Sequence, residues 1–223
     1  VTNGRFRTLA VRRAIGSPRR CACLSDSGLS ATAFSSPAES VVRAASAGYV
    51  SDESSYLEVG AGNLRNAIFL QRKFAPKHMV AVEQKSVVDR FSDSYAAFRA
   101  SGGRLSHTLP RSRFDVIVVT YVLETICPPI TREQLLGEIA DRMHSKSSLI
   151  LSVRGYGGVR GCEYARCSLS DGSRSPRGGF VRAYSIPELE AMLFRHSISF
   201  TPLKKYRVSK PENIHGIGKI RND

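Results

Sequence analysis

The stretch Tyr56-Leu57-Glu58-Val59-Gly60-Ala61-Gly62-Asn63-Leu64-Arg65-Asn66 decides the fold. A short apolar run ends in an acid, passes through two glycines and enters a segment compatible with helix. Glycine reaches positive φ at no steric cost, so a strand that stops at paired glycines lets backbone amides approach a ligand closely. The helix start that follows adds unpaired N–H groups and the positive end of a dipole. A turn of this kind holds a nucleotide-like cofactor.

Upstream of the turn, Ser36-Pro37-Ala38-Glu39 reads as a capping box with proline at the first helical position, and Val41, Val42 and Ala45 follow on one face until Gly48. Downstream, an amphipathic helix over Leu64 to Phe74 is closed by Pro76, and the apolar run Met79-Val80-Ala81-Val82 ends at Glu83. Val87, Val88, Phe91, Tyr95 and Phe98 recur at helical spacing until Gly102-Gly103, and Phe114 to Val119 forms the strongest strand candidate. Thr131-x-x-Gln134 opens a helix carrying Leu135, Leu136, Ile139 and Met143, and Leu149 to Val153 is a further buried strand. Such alternation predicts an α/β fold: a single doubly wound, mostly parallel sheet with helices on both faces. Ser185-x-x-Glu188 caps a last helix with Leu189, Met192 and Leu193. Ser197 to Leu203 and Ile214 to Ile220 then suggest a C-terminal antiparallel hairpin at the edge of the sheet.

The chain has 223 residues, enough for one α/β domain with a core and too few for two full domains with linkers. Residues 1–35, rich in Arg, Ser, Ala and Gly, read as a basic, poorly ordered arm with one short helix around Thr8 to Ile15, and residues 36–223 as the folded domain. The Gly-, Arg- and Ser-rich segment 154–183 breaks the alternation and reads as a lid or insertion. No apolar run approaches the ~20 residues of a membrane span, and the N-terminal segment lacks the apolar block of a secretory signal, which points to the cytoplasm. Cys21, Cys23, Cys127, Cys162 and Cys167 are odd in number and lack paired CxxC spacing, which favours ordinary reduced thiols over a disulfide framework or a zinc site.

The net charge of +14 is uneven, with 7 basic and 2 acidic side chains in residues 1–50, 13 and 11 in 51–150, and 13 and 6 in 151–223. Positive charge therefore gathers at the two ends. It suits a polyanion, and equally serves solubility.

With these elements placed, residues 36–220 resemble the class I S-adenosylmethionine-dependent methyltransferases. That family's acid-x-Gly-x-Gly-x-Gly turn is matched by Glu58-Val59-Gly60-Ala61-Gly62-Asn63-Leu64, with Leu64 where a third glycine is commonest. The resemblance implies S-adenosylmethionine as cofactor: Gly60, Gly62 and Asn63 against its methionine part, Glu58 facing its ammonium group, and Glu83 accepting both ribose hydroxyls. It places His107, in Leu105-Ser106-His107-Thr108, near the adenine, and Thr120 at the end of the strand where methyl group and acceptor meet. Tyr121 and Glu124 are then the candidates to orient or deprotonate the acceptor. The competing dinucleotide fingerprint needs a glycine where Arg65 stands, and a phosphate-binding P-loop needs a Gly-Lys-Ser/Thr that is missing.

Methyl transfer from a sulfonium relies mostly on alignment, and a base is needed only for an acceptor that carries a proton. Arg154, Tyr156, Arg182 and Tyr184 offer charge and aromatic faces to an acceptor, although Tyr184 is equally well read as the apolar entry to a capped helix. The lid's arginines, including Arg174 and Arg177, interleaved with Tyr156, Tyr164 and Phe180, suit nucleic acid. The absence of an Asp/Asn-Pro-Pro-aromatic motif after Thr120 favours a small molecule. Nucleic acid and small molecule both stand, as does a non-catalytic cofactor-binding or basic nucleic-acid-binding module on the same fold.

Overall fold

The computed structural model describes residues 35–159, 171–174, 179–206 and 211–221. The arm before Ser35, Cys21, Cys23, Cys162, Cys167, Tyr164 and Arg177 lie outside the described residues.

In chain order the elements are α1 (Glu39–Ser46), β1 (Ser55–Val59), α2 (Arg65–Lys73), β2 (His78–Val82), α3 (Lys85–Arg90), α4 (Ser92–Ala100), β3 (Arg104–Ser106) and β4 (Val116–Thr120). There follow α5 (Pro129–Asp141), β5 (Ser148–Arg154), β6 (Ser173–Arg174), β7 (Phe180–Val181), α6 (Ile186–Phe194), β8 (Ile198–Pro202) and β9 (Asn213–Ile220). Seven strands form one sheet in the order β3-β2-β1-β4-β5-β9-β8, with β6 and β7 a separate two-stranded ribbon. β1 pairs in parallel with both β2 and β4, β2 with β3, and β4 with β5. β9 runs antiparallel between β5 and β8. The C-terminal hairpin thus adds to the sheet through its second strand, and β8 is the edge.

The strand alternation sorts two cores. Leu57, Val59, Ile117, Val119, Leu149 and Leu151 pack with Leu136 and Ile139 of α5 and Leu189 and Leu193 of α6. On the opposite face, Tyr56, Val116, Val118 and Ile150 meet Val41 and Ala44 of α1, Ala67 and Leu70 of α2, and Tyr95 and Phe98 of α4. Both faces of β1 and β4 are buried, which is why β4 reads as a continuous apolar run up to Thr120 and why Glu58 of β1 is a buried acid. At the amino ends of β1 and β4, the Ser55 amide and hydroxyl both donate to Asp115 Oδ2. That staple fixes the register of the two strands around which the chain reverses direction, so the ligand crevice falls outside their carboxyl ends.

Three local expectations change. α1 starts at Glu39, not within a Ser36 capping box: the Ala38 amide donates to Asn66 Oδ1 at 2.8 Å, so a tertiary bond replaces the local cap. α5 starts at Pro129, ahead of the expected Thr131 cap, because proline is compatible with the first helical turn. The single helix expected over Val87 to Phe98 is two, broken at Phe91 (φ −115°, ψ 36°). The Ser185–Glu188 capping box forms in full.

Candidate active site

At the end of β1 the backbone reverses through Gly60 (φ 68°), Gly62 (φ 55°) and Leu64 (φ 67°). All three lie in the left-handed region, the third occupied by a leucine where the methyltransferase pattern has glycine most often. Leu64 is fully buried against the α2 core, so packing offsets the ~1–2 kcal/mol that an L-residue loses there. The two glycines differ. A Cβ on Gly60 would stand 2.4 Å from Val122 Cγ2, whereas beside Gly62 there is open space. The open side of the turn is therefore at Gly62.

Glu83, just past β2, holds that turn: its Oε2 accepts from the Gly62 amide at 2.7 Å and its Oε1 from the Gln84 amide at 2.7 Å. The Glu83 carboxylate thus stands at the end of β2 with its oxygens turned toward the glycine turn. Tyr95 braces the same loop from α4 by donating to the Gly62 carbonyl at 2.9 Å. His107 stands after β3 with Nδ1 2.8 Å from the Glu83 carbonyl, which sets it beside the end of β2. Asn63 sits half-buried at the lip of the turn.

Glu58 turns inward. Its carboxyl group, 3% exposed, takes hydrogen bonds from Asn66 Nδ2 at 2.8 Å and from the Ala67 amide at 3.0 Å, tying β1 to the first turn of α2. Burial raises its pKa to about 8; the two hydrogen bonds and the Arg65 charge oppose that rise, and Glu83 reinforces it. Asn66 also donates to Thr120 Oγ1 at 3.0 Å, so one side-chain amide joins α1, β1 and β4.

Beyond Thr120, Tyr121 takes φ 59°, and its N–H donates a hydrogen bond to the Ser152 carbonyl at 2.8 Å. Its ring meets the buried His215 edge-on at 6.4 Å, and the Arg65 guanidinium lies 6.0 Å from its centroid. Burial, with Glu124 adding to it, raises the phenol pKa to about 12. Glu124 lies in a single 3₁₀ turn, Leu123–Thr125, and is 1% exposed. Neither carboxyl oxygen has a well-formed hydrogen bond among the described residues. Arg154 at the end of β5 brings Nε to 3.9 Å of Oε1. Burial lifts the Glu124 pKa to about 8, with the Arg154 charge and the nearby Glu124 and Arg154 amides opposing it only in part.

The remaining acceptor candidates are tied into the fold around Tyr184. Tyr184 is fully buried and donates to the Leu123 carbonyl at 3.2 Å, while Arg182 stacks over its ring at 4.7 Å. Arg182 pairs with Asp171 and with Glu188, and the Tyr156 hydroxyl donates to Glu188 at 3.2 Å. The Arg182 amide donates to the Glu124 carbonyl at 2.8 Å, so this network borders the site. Its anchor is Arg132 of α5, 1% exposed, which donates to the Ile126 carbonyl and to Asp171. The structure thus groups Glu58, Gly60, Gly62, Asn63, Glu83 and His107 around one turn, with Thr120, Tyr121, Glu124 and Arg154 at the neighbouring strand ends. Tyr156, Arg182 and Tyr184 form an outer tier.

Asn66, Tyr95, Val122, Arg132 and Asp171 shape the site without having been read as site residues in the sequence. The signal for two of them was present: Asn66 shares the buried face of α2 with Ala67 and Leu70, and Arg132 that of α5 with Leu135, Leu136 and Ile139. A polar residue on an apolar stripe marks a buried network.

No family model matches the chain and no curated protein matches it. Solved structures do. An S-adenosylmethionine-dependent methyltransferase from Clostridium acetobutylicum aligns at 15% identity and TM-score 0.63, over 82% of this chain and 89% of that one. The CcbJ methyltransferase from Streptomyces caelestis aligns at 14% identity and TM-score 0.62, over 83% and 91%. The 1,6-didemethyltoxoflavin-N1-methyltransferase of Burkholderia thailandensis, solved with bound 1,6-didemethyltoxoflavin and S-adenosylhomocysteine, aligns at 14% and 0.59, over 82% and 76%. The chain has the fold of these methyltransferases. At such identities the likeness is one of fold, and the chemistry has to be argued from the site. No helix among the described residues is long and apolar enough to cross a membrane.

Proposed function

We propose that the chain transfers a methyl group from S-adenosylmethionine to an acceptor bound over the ends of β4 and β5. The observation that carries this reading is the Gly62 turn: a positive-φ glycine with open space at its Cβ, set between two acids at the point where the strand order reverses. The donor set suits that cofactor. The Glu83 carboxylate at the end of β2 is the acceptor type that a ribose diol calls for, and the start of α2 beyond Gly62 and Asn63 suits a carboxylate. His107 borders the adenine side. Glu58 acts one step back, holding the α2 start in place and setting a titratable acid behind the turn. Arg65, at the first position of α2, makes the dinucleotide alternative a poor fit, because its side chain occupies the place where that fingerprint needs close helix–strand contact.

S-adenosylmethionine supplies, when bound, a methyl group on a cationic sulfur with a neutral leaving group. The chain supplies alignment and proton handling. Tyr121, at positive φ, sets its ring edge-on to the buried His215 beyond the end of β4. Glu124 takes the proton of a hydroxyl or amine acceptor. With its pKa near 8 a minority of molecules hold it as the carboxylate at pH 7, so transfer to such an acceptor should rise as pH climbs toward 8, and the neutral acid that results is the form its burial favours. Arg154, half-exposed beside it, faces an acceptor with anionic character.

Calorimetric titration with S-adenosylmethionine, S-adenosylhomocysteine and NAD tests the cofactor. Binding of the first two and not of NAD is expected, and Gly62→Arg, which fills the open side of the turn, should abolish it while circular dichroism stays native. A wild-type protein that binds neither adenosyl compound, or a Gly62→Arg protein of undiminished affinity, ends this reading. Incubation with methyl-labelled donor and separate pools of RNA, DNA and metabolites identifies the acceptor.

A further inference from the structure

Helix α2 carries two stripes. Asn66, Ala67 and Leu70 face the core, while Arg65, Ile68, Phe69, Arg72 and Lys73 recur at i, i+3, i+4, i+7 and i+8 on the opposite side. Such a pattern normally buries a helix face. Here the second stripe lines a surface groove of about 380 Å³, closed on its other wall by Ser35 and Pro37. Arg72 and Lys73 are exposed, and among the described residues no acidic side chain lines the groove. From Arg65 to Lys73 the stripe runs about 12 Å along the helix axis.

From this groove we infer that the chain binds single-stranded nucleic acid along the outer face of α2, and that this strand presents the methyl acceptor. Three features select that occupant. The groove combines three cations with apolar and aromatic surface, the pairing that holds phosphates and stacked bases together. Lys73 Nζ lies 5.7 Å from the centroids of both Phe69 and Phe74, so charge and ring faces alternate. Residues 1–34, which join the chain to the groove at Ser35, carry six arginines and one acid, Asp26. That charge, read from the sequence, adds to the attraction for a polyanion. The track also leads to the site: Arg65 at its upper end lies 6.0 Å from the Tyr121 ring. The acceptor role rests on the methyltransferase reading; the binding itself does not.

The test is fluorescence anisotropy of the full chain with a labelled single-stranded RNA of about 16 nucleotides across a salt series. Arg72→Gln/Lys73→Gln should weaken binding about tenfold near physiological salt and make the slope of log K against log salt shallower by about 1.4. Phe69→Leu should weaken binding with the slope unchanged. Wild-type protein that ignores the RNA, or a double variant with affinity and slope intact, overturns the inference. So does loss of binding to anionic vesicles or polyglutamate in the double variant while RNA affinity holds. Titration of the same samples with S-adenosylhomocysteine separates the two readings. Retained cofactor heat with lost RNA binding supports the groove, whereas absent cofactor heat in the wild type sinks the methyltransferase reading and leaves the groove result standing.

Discussion

Arg154 Nε stands 3.9 Å from Glu124 Oε1, and among the described residues it is the one ion-pair neighbour of that buried carboxyl group. A pKa raised to about 8 by burial means that the folded protein holds protons on this group which the unfolded chain releases above about pH 4.5. Glu58 behaves in the same sense. The sign follows: both groups favour folding fully below their unfolded pKa, and the advantage is lost as pH rises from about 4.5 through about 8. The thermal midpoint should therefore decline over that window. Glu124→Gln, neutral at every pH, should flatten the decline and be more stable than wild type at pH 8.5. It should also slow transfer to a hydroxyl or amine acceptor by about 10²–10⁴-fold, the usual contribution of a positioned base. Parallel pH profiles of the two proteins would count against a buried, proton-bearing Glu124.

Asn66 serves three elements with one amide group, accepting from the Ala38 amide and donating to Glu58 and Thr120. Asn66→Ala strands a buried donor and two acceptors, and at about 1–3 kcal/mol for each unsatisfied group the loss should be about 3 kcal/mol by urea denaturation, after partial relaxation. Asn66→Asp should be worse at pH 8 than at pH 5, because it sets a second carboxylate 2.8 Å from Glu58. Equal denaturation midpoints for the two variants at both values would mean that Asn66 does not govern this junction.

The glycine turn, its two acids and the alternation of strands were legible because each rests on local chemistry: positive φ favours glycine, and strands buried on both faces favour apolar runs. The polar seam beneath the turn was not. Thr120 and Ser152 end apolar strands and share a face with Glu58 and His215 only once the registers β1–β4, β4–β5 and β5–β9 are known. Ser152 then bonds both Ser40 of α1, at 2.6 Å, and His215, at 2.9 Å, and His215 Nε2 lies 3.3 Å from Glu39. The start of α1 was misplaced for the same reason, since its first amide is satisfied by a residue 28 positions away. Glu124 was visible as an acid after a strand, but its isolation from hydrogen-bond donors depends on packing by distant segments.

Leu64 tests whether strain or burial governs the third turn position. Replacement by glycine relieves about 1–2 kcal/mol of left-handed strain but removes a fully buried side chain worth about 3–5 kcal/mol with its cavity. Burial wins, so Leu64→Gly should destabilise by about 2 kcal/mol despite restoring the commoner family residue. A gain in thermal midpoint would show that the leucine packs poorly.

The two turn glycines should fail differently. Gly60→Ala meets both positive φ and Val122 Cγ2 at 2.4 Å, whereas Gly62→Ala meets positive φ alone. The first should cost about 3 kcal/mol of stability, recovered in part by adding Val122→Ala, and the second about 1 kcal/mol. Cofactor affinity should fall in the reverse order, because the open side lies at Gly62. Calorimetry and thermal melts on the three proteins decide it. Equal stability losses, or a larger affinity loss at Gly60 than at Gly62, would place the cofactor elsewhere.

Glu58 lies behind the turn with a pKa near 8, so at pH 7 most molecules carry a proton there. Bringing the ammonium group of S-adenosylmethionine or S-adenosylhomocysteine to the turn favours the carboxylate and lowers that pKa. Binding at pH 7 should then release protons, and affinity should climb as pH rises toward 8 and level off above it. Titrations in phosphate and in Tris, whose ionisation heats differ widely, convert the released protons into a difference in apparent enthalpy. Glu58→Gln should remove that difference while retaining an acceptor oxygen for the Ala67 amide and so the anchorage of α2. Identical apparent enthalpies in the two buffers for the wild-type protein would mean that Glu58 does not sense the cofactor's charge.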